Sequence, residues 1–184
     1  METLDRLHPS ELEFLAEDSL ITVVPKLNQE QLFLIVGDFG PFSAGLPCDV
    51  PLWLAVHLSK KRLCEIRPPA WLNSEKLAEW KQLEVDSPDI FQPMLCSNYM
   101  EVSHLLLTHA LDSIPHADQV RTLIKDIWDI RTSKLRSSID KFIKDKETFA
   151  GLNNLSVMEI NFIRPLLVNT LDNMNAIRFA EQAE

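Results

Sequence analysis

Cysteine and glycine are scarce in this chain, which has three cysteines and four glycines among 184 residues. An odd number of cysteines, with no Cys-x-x-Cys spacing, argues against a disulfide framework and against a zinc knuckle. No stretch approaches the roughly 20 apolar residues of a membrane-spanning helix, and the acidic N-terminus lacks the basic segment of a secretory signal. These absences predict a soluble protein of a reducing intracellular compartment.

Positive charge is also in short supply, because 18 Lys and Arg residues face 27 Asp and Glu residues, for a net charge of −9. Such a charge repels phosphate backbones, so the protein as a whole is a poor candidate for unspecific nucleic-acid binding. Hydrophobic residues, by contrast, make up 46% of the chain, which is enough for a buried core. The composition therefore predicts a globular protein.

The distribution of glycine and proline divides the chain. Three of the four glycines and three of the eleven prolines occur in the apolar segment 32–58, which is typical of sharp turns between buried elements. After Pro68–Pro69 the hydrophobic residues follow a helical period, and no glycine occurs until Gly151. We therefore predict an α+β fold, mostly helical, with a small β-rich N-terminal domain over 1–68 and an α-helical bundle domain over 69–184.

Local signals predict the first elements of the N-terminal domain. Ser10 and Glu13 have the spacing of a capping box, which predicts a short helix over 11–17. The apolar runs 20–24 and 31–36 each end at a proline or a glycine. We expect both runs to be strands of one small buried sheet.

The segment 49–58 allows two interpretations. Asp49 can cap a helix that has Pro51 in its first turn, whereas a strand would place every second residue of 52–58 on one face. The helix is favoured because the intervening residues are apolar too. Alternation over 64–66 predicts one more half-buried strand, which the double proline ends.

Four helices are predicted in the C-terminal domain, and capping residues mark the first two. Asn73 or Ser74 can cap the first helix, and Asn98, with Glu101 three positions later, can cap the second. The polar segment 85–93, which contains two prolines, predicts a loop between them.

The other two helices are the longest. The third is predicted over 116–148, with an apolar stripe at helical spacing and Gly151 beyond its end. Ser156 and Glu159 form a second capping box that predicts the start of the last helix. Pro165 should bend that helix, because proline removes a backbone hydrogen bond and crowds the preceding turn.

Residues that could perform catalysis or bind a metal form no coherent set. Asp38-Phe39-Gly40 matches a tripeptide of protein kinases, but a structural turn is favoured because the chain has no glycine-rich phosphate loop and no HRD segment. His104 and His109 lie about 140° apart around a helix and cannot bind one metal ion from the same face. We therefore predict no enzyme activity, no metal site and no cofactor.

The predicted long helix is basic although the protein is acidic. It carries eight Lys and Arg residues against six Asp and Glu residues. Interspersed charges are typical of a solvated helix face, and no aromatic residues alternate with them as in a platform for single strands. A DNA-binding module is the alternative hypothesis, and its candidate residues are Arg121, Lys125, Arg136 and Lys144.

Trp128 widens the apolar stripe of this helix beyond what one neighbouring helix can cover. Apolar helix faces wider than a single seam are typical of helices that form oligomers. A large monomeric core is the alternative explanation. We favour an interface with partner subunits, and its candidate residues are Ile127, Trp128, Arg131, Leu135 and Phe142.

Several long segments share a likeness that is more specific than any single tripeptide. They are 11–17 (ELEFLAE), 37–58 (GDFGPFSAGLPCDVPLWLAVHL), 67–72 (RPPAWL), 99–102 (YMEV), 114–136 (IPHADQVRTLIKDIWDIRTSKLR) and 155–161 (LSVMEIN). Together they resemble the subunit 2 family of the GINS complex, the four-subunit assembly of the eukaryotic replication fork.

The resemblance implies a fold in which a small β-rich domain precedes a helical domain. It also implies a nuclear protein without catalytic activity, whose helical domain bundles with the three other GINS subunits. The tetramer would join the MCM ring and its cell-division-cycle partner in the replicative helicase, where MCM hydrolyses ATP. We accordingly expect DNA contact by this chain to be indirect or weak, and no contact with a membrane.

Overall fold

The computed structural model describes residues 6–144 and 153–181 and confirms an α+β, mostly helical fold. A short 3-10 turn (Leu111–Ser113) precedes the longest helix. The elements in chain order are α1 (Pro9–Ala16), β1 (Leu20–Pro25), β2 (Leu32–Leu34), β3 (Gly37–Phe39), β4 (Cys48–Pro51), α2 (Leu52–Lys60), β5 (Cys64–Ile66), α3 (Ser74–Asp86), α4 (Tyr99–His109), α5 (Ala117–Lys144) and α6 (Val157–Glu181).

An antiparallel sheet of three strands, in the order β4-β1-β5, forms the centre of the N-terminal part. In β1, Ile21, Val23 and Pro25 are buried while Thr22 and Val24 between them are less so, as expected for a strand with one face on the core. Val23 lies opposite Ile66 of β5 and opposite Cys48 of β4. The predicted strands over 20–24 and 64–66 are confirmed.

The second predicted strand lies elsewhere. β2 pairs with β3 in a separate two-stranded hairpin, with Leu32 opposite Phe39. The prediction that 31–36 is part of the same buried sheet as β1 is wrong, because β4 and β5 occupy the two edges of β1. The hairpin instead exposes apolar residues such as Phe33, which is 75% exposed.

Helix α1 begins earlier than its predicted capping box. His8 is the N-cap residue, and its Nδ1 accepts from the backbone N–H of Ser10 (3.3 Å), while Glu11 Oε2 accepts from the backbone N–H of His8 (2.7 Å). The box predicted at Ser10 and Glu13 is therefore wrong. Pro9 favours the earlier start because its ring suits the first helical position, which leaves Glu13 free to contact His104 Nδ1 at 3.0 Å.

The helical interpretation of 52–58 is confirmed as α2, although its start differs from the prediction. Asp49 is a residue of β4, where its Oδ1 accepts from Thr22 Oγ1 at 2.7 Å, so it does not cap the helix. Pro51 is the N-cap residue. Both faces of α2 are apolar because the helix packs against the sheet and against α4, and its buried residues are Leu52, Leu54, Ala55, Val56 and Leu58.

Two of the predicted caps in the helical part are confirmed. Asn73 Oδ1 accepts from the backbone N–H of Glu75 (3.2 Å) at the start of α3. At the start of α6, Glu159 Oε2 accepts from the backbone N–H of Ser156 (2.8 Å), and Ser156 Oγ accepts from that of Glu159 (3.2 Å). Asn98 precedes α4, but its side chain makes no capping bond.

The two longest helices agree with prediction where they are described. α5 begins at Ala117 and is described as far as Lys144, so the end predicted at Thr148 and the glycine expected beyond it lie outside the described residues. α6 continues on both sides of Pro165, and the bend expected there stays a prediction.

Buried side chains form one large core and one small core. The large core contains Val23 and Leu52 from the N-terminal part together with Leu77, Leu106 and Ile127 from the helices. The small core joins α5 to α6 through Leu135, Ile139, Ile163 and Leu167. Because the large core crosses residue 68, the predicted division at that residue is not visible as a gap in packing and stays a prediction.

Candidate protein–protein interface

Arg131, in the middle of α5, is fully buried at 0% exposure. Its Nε donates to Glu159 Oε1 at 2.7 Å, and its Nη2 donates to Glu159 Oε2 at 3.0 Å and to the carbonyl oxygen of Asn154 at 2.6 Å. Nη1 donates to Glu84 Oε1. The guanidinium therefore links α5 to α3 and to the start of α6.

Lys134, one turn further along α5, completes this buried network. Its Nζ donates to the carbonyl oxygens of Glu84 (3.0 Å) and Ile90 (3.1 Å) and to Glu84 Oε2. With Arg131 and Glu159 the network contains two cations and two carboxylates, so its charges balance. Balanced and hydrogen-bonded charges are the form in which ionic groups are tolerated inside a protein.

Aromatic side chains enclose the network. The guanidinium carbon of Arg131 lies 5.5 Å from the ring centre of Trp80 and 5.2 Å from that of Phe91. Tyr99 Oη donates to Glu159 Oε1 at 3.5 Å. These contacts exclude water and hold the charged groups in fixed positions.

The pKa values of two buried groups of the network, Arg131 and Tyr99, are both raised. Burial alone would lower the pKa of Arg131, but the hydrogen bond and the charge of Glu159 outweigh it, so the pKa is raised. Burial, followed by the charge of Glu159, raises the pKa of the Tyr99 hydroxyl. Arg131 stays charged and Tyr99 stays neutral at physiological pH, which suits a structural clamp between helices.

The five residues predicted at a partner interface lie mostly inside the chain. Ile127 and Arg131 are 0% exposed, Leu135 is 3% exposed and Phe142 is 8% exposed. Helices α3, α4 and α6 pack against α5 around these positions, and their part in a partner interface stays a prediction. Trp128 is only partly buried. A partner role for Trp128 stays a prediction.

Trp128 belongs to an aromatic seam between α5 and α6. Its ring packs edge to face on Phe162, with 6.4 Å between ring centres. The guanidinium carbons of Arg6 and Arg136 lie 4.9 Å and 5.9 Å from the Phe162 ring centre. The seam is partly exposed, so a neighbouring protein can reach it.

Sequence reasoning missed most of the exposed apolar surface. Apolar runs in the sequence predict buried segments. A run of hydrophobic residues does not show which of its side chains face solvent, so exposed members are not identified. Among the described residues, large hydrophobic side chains at least half exposed are Phe14, Leu15, Leu20, Phe33, Ile35, Val36, Leu46, Leu83, Val85, Ile90 and Leu166. Contiguous exposed apolar surface is typical of protein–protein contact sites.

The basic residues of the alternative hypothesis all lie on the surface of α5. Arg121, Lys125, Arg136 and Lys144 are exposed. They are spread over 24 positions, about 35 Å of helix, with Asp118, Asp129 and Asp140 exposed on the same helix. This arrangement resembles a mixed-charge solvated face more than a continuous basic patch.

The first two residues of the kinase-like tripeptide lie in a strand that packs on the rest of the protein. Asp38 and Phe39 belong to strand β3 and not to a turn, and Phe39 packs edge to face on Trp53 at 6.0 Å. Within the described part of the chain, no group of three or more His, Cys, Asp or Glu side chains is placed to hold a metal ion. Over residues 6–144 and 153–181, no helix combines the length and hydrophobicity needed to cross a bilayer.

Comparison with known proteins adds two family matches along the chain. Residues 8–67 match the model of the PSF2 N-terminal domain. Residues 71–178 match the model of the GINS complex protein helical bundle domain. The second match includes the helices that enclose Arg131.

Similar proteins occur in animals and fungi. The human DNA replication complex GINS protein PSF2 is 46% identical over 169 residues, which cover 92% of this chain and 91% of the human protein. The Xenopus laevis protein of the same name is 46% identical, with 94% and 93% of the two chains covered. The Schizosaccharomyces pombe protein psf2 is 34% identical, with 96% and 93% covered. This chain belongs to the PSF2 family of GINS proteins.

Proposed function

We propose that this protein is a non-catalytic structural subunit of a heterotetrameric GINS complex and acts in chromosomal DNA replication. The observation that carries the proposal is the 46% identity to the human GINS protein over 92% of the chain, since likeness of that extent covers both parts of the fold. Its work is to bury helix faces against the three other GINS subunits.

The surface of the helical part supports this role. Leu83, Val85 and Ile90, in and after α3, are 52%, 51% and 68% exposed, and Leu166 of α6 is 50% exposed. Trp128 adds a partly exposed aromatic ring. Helix faces of this kind gain stability when another helix covers them, because burial removes apolar area from water.

The buried ion pairs give the subunit a fixed shape to present. Arg131 and Lys134 hold α3, the loop after it and the start of α6 against α5. A surface fixed before binding loses less conformational entropy when it meets its partners. We propose that the network sets the relative positions of the partner-facing helices.

Assembly is tested by co-expressing this chain with the three other GINS subunits and measuring the product by native mass spectrometry. We expect a particle with one copy of each subunit. A chain that stays monomeric, or that forms only a complex with itself, would contradict the proposal.

The assembled tetramer is proposed to join the MCM ring and its cell-division-cycle partner in the nucleus, where MCM hydrolyses ATP. The test is a pull-down from replicating cells with this chain tagged, followed by an ATPase assay. We expect both partners to be recovered. A substitution in the ATP site of MCM should abolish the ATPase activity of the recovered complex even when this chain is unchanged.

DNA binding through Arg121, Lys125, Arg136 and Lys144 is a second candidate function, favoured by their exposure on α5. Phosphate contacts predict affinity that falls steeply with salt. Fluorescence anisotropy with labelled DNA distinguishes the two candidates. Micromolar affinity that is lost when all four residues are changed to Ala would favour a DNA-binding role, whereas no binding at low salt would exclude it.

A further inference from the structure

The β2-β3 hairpin projects apolar side chains into solvent at its tip. Phe33 is 75% exposed, Leu34 40%, Ile35 108% and Val36 72%. We call residues 33–36 the hairpin tip. Four successive exposed apolar residues are unusual on a protein surface and are associated with binding sites.

The turn itself is built from unsuitable residues. Tight hairpin turns favour Asn-Gly, Asp-Gly or other combinations that allow positive φ, whereas here Ile35 and Val36 form the turn, and neither has positive φ. Only Gly37, at φ 154°, has the backbone freedom of a turn residue. A sequence that departs from local preference in this way usually serves a function.

The base of the β2-β3 hairpin, below the exposed tip, packs on the rest of the protein. Leu32 and Phe39, paired across the two strands, pack on the large core. Beyond them, the backbones of Gln29 and Phe42 exchange two hydrogen bonds of 2.9 Å, and Phe42 is only 5% exposed. The base of the hairpin is therefore fixed by packing and hydrogen bonds, and the hairpin tip projects from it.

The charged residues of the hairpin itself are acidic. Between Lys26 and Lys60 the sequence contains no Lys or Arg. Asp38 lies directly opposite Phe33 in the hairpin, and Glu30 precedes β2; both are exposed. An exposed apolar tip whose own hairpin carries carboxylates and no Lys or Arg is complementary to an apolar pocket rimmed by cations.

We propose that the hairpin tip inserts into an apolar pocket, rimmed by Lys or Arg, on a different protein. A lipid surface is disfavoured because anionic headgroups repel Asp38 and Glu30, and nucleic acid is disfavoured because the hairpin has no cation. Tip-to-tip pairing of two copies of this chain would place these carboxylates against each other. The proposal goes beyond the assembly role above, which concerns the helices, because it gives the N-terminal part a docking surface of its own.

Site-specific photo-crosslinking of the full chain in its own cells tests the proposal. A photoreactive p-benzoylphenylalanine replaces Ile35, and in a matched control it replaces Leu46, which is 62% exposed and also lies in the N-terminal part. We expect a discrete adduct from position 35 only, and mass spectrometry should place the link in an apolar segment next to Lys or Arg of another protein. Links to lipid, to a second copy of this chain, or equally from both positions would overturn the proposal.

Charge reversal tests the rim independently. Asp38→Lys in the Ile35-crosslinking chain should reduce the adduct roughly tenfold or more, because like charges would meet at the rim. If Asp38→Lys lowers the melting temperature, Glu30→Lys makes the same test outside the strands. An adduct of unchanged intensity in a folded charge-reversal variant would refute a cationic rim.

Discussion

Arg131 and Glu159 form a two-pronged ion pair in which both carboxylate oxygens accept from one guanidinium, at 2.7 Å and 3.0 Å, and neither side chain is more than 1% exposed. The same Glu159 carboxylate accepts from the backbone N–H of Ser156 at the start of α6. One carboxylate therefore both caps α6 and attaches it to the middle of α5. The pair therefore acts together with the small core to hold α6 against α5.

Replacing Arg131 should strongly destabilise the chain. Arg131→Met keeps much of the side-chain volume but leaves Glu84 and Glu159 without their shared cation. Removing one partner of a buried ion pair typically costs about 3–5 kcal/mol. Urea unfolding of the full chain, followed by circular dichroism, should show the lower midpoint with an unchanged slope.

An exposed ion pair supplies the control for that experiment. Lys141 donates to Asp89, and the hydrogen bond and charge of Lys141 lower the pKa of this carboxyl, but both side chains are more than 60% exposed. Solvent screens such pairs, so Asp89→Asn should leave the urea midpoint unchanged. Equal effects of Arg131→Met and Asp89→Asn would mean that the buried network contributes no special stability.

Local sequence signals predicted the elements whose determinants are close in the chain. Asn73 and the Ser156-Glu159 box were found because each cap involves residues two or three positions apart. The cap at His8 was missed because a histidine is an uncommon N-cap residue and a better-known box stood two positions later. Fold class followed from periodicity, which depends only on local spacing.

Long-range pairing could not be predicted in the same way. Arg131 meets Glu84 from 47 positions away, and no local pattern encodes that contact. One signal was available, because Arg131 lies four positions from both Ile127 and Leu135, and a charge in an apolar stripe requires a buried partner. The pairing of β1 with β4 also joins segments distant in the chain. In addition, the local sequence around Asp49 favoured a helix cap over a strand.

Glu101 should make the stability of the chain depend on pH. Its side chain is 4% exposed, and no other residue donates a hydrogen bond to either carboxylate oxygen. Burial, and then the charges of Glu159 and Glu13, raise its pKa above the ordinary value of 4.5, and its own backbone N–H opposes the rise only in part. The folded chain therefore keeps this proton at a pH where the unfolded chain has lost it.

The sign of the effect follows from proton binding. Between the unfolded and the folded pKa the native state holds more protons, so stability falls as pH rises through this range, and the penalty is complete above the folded pKa. Glu101→Gln should therefore raise the melting temperature at neutral pH, and the gain should vanish below about pH 4.5. Glu79→Gln, on the exposed side of α3, is the charge-matched control. A gain independent of pH would contradict this account.

Trp128 should matter more for assembly than for folding. Trp128→Ala removes a partly exposed anchor, commonly worth about 2 kcal/mol or more at an interface, and should reduce the yield of the four-subunit complex in native mass spectrometry. Its neighbour Ile127 is 0% exposed, so Ile127→Ala should instead lower the stability of the chain by about 2–5 kcal/mol. Unchanged complex yield for Trp128→Ala would remove this residue from the interface.

Gly40 should tolerate no side chain, because two independent constraints act on it. Its φ of 104° is rarely adopted by other residues, and an added Cβ would lie 3.1 Å from the ring of Phe42 and 3.2 Å from its backbone nitrogen. Gly45 has a φ of 78° but open space around a Cβ, so Gly45→Ala should suffer only the conformational cost of about 1–2 kcal/mol.

Gly40→Ala should exceed that cost, because Phe42 is 5% exposed and its backbone is tied to Gln29 by two hydrogen bonds, so it has little room to move. Urea unfolding of the two variants measures the difference. Since Phe42 anchors the base of the β2-β3 hairpin, the Gly40→Ala chain should also expose Phe39 and Leu32, which faster amide hydrogen exchange in β2 and β3 would report. Equal destabilisation by both substitutions would show that Phe42 yields readily and that the hairpin base is less firmly held.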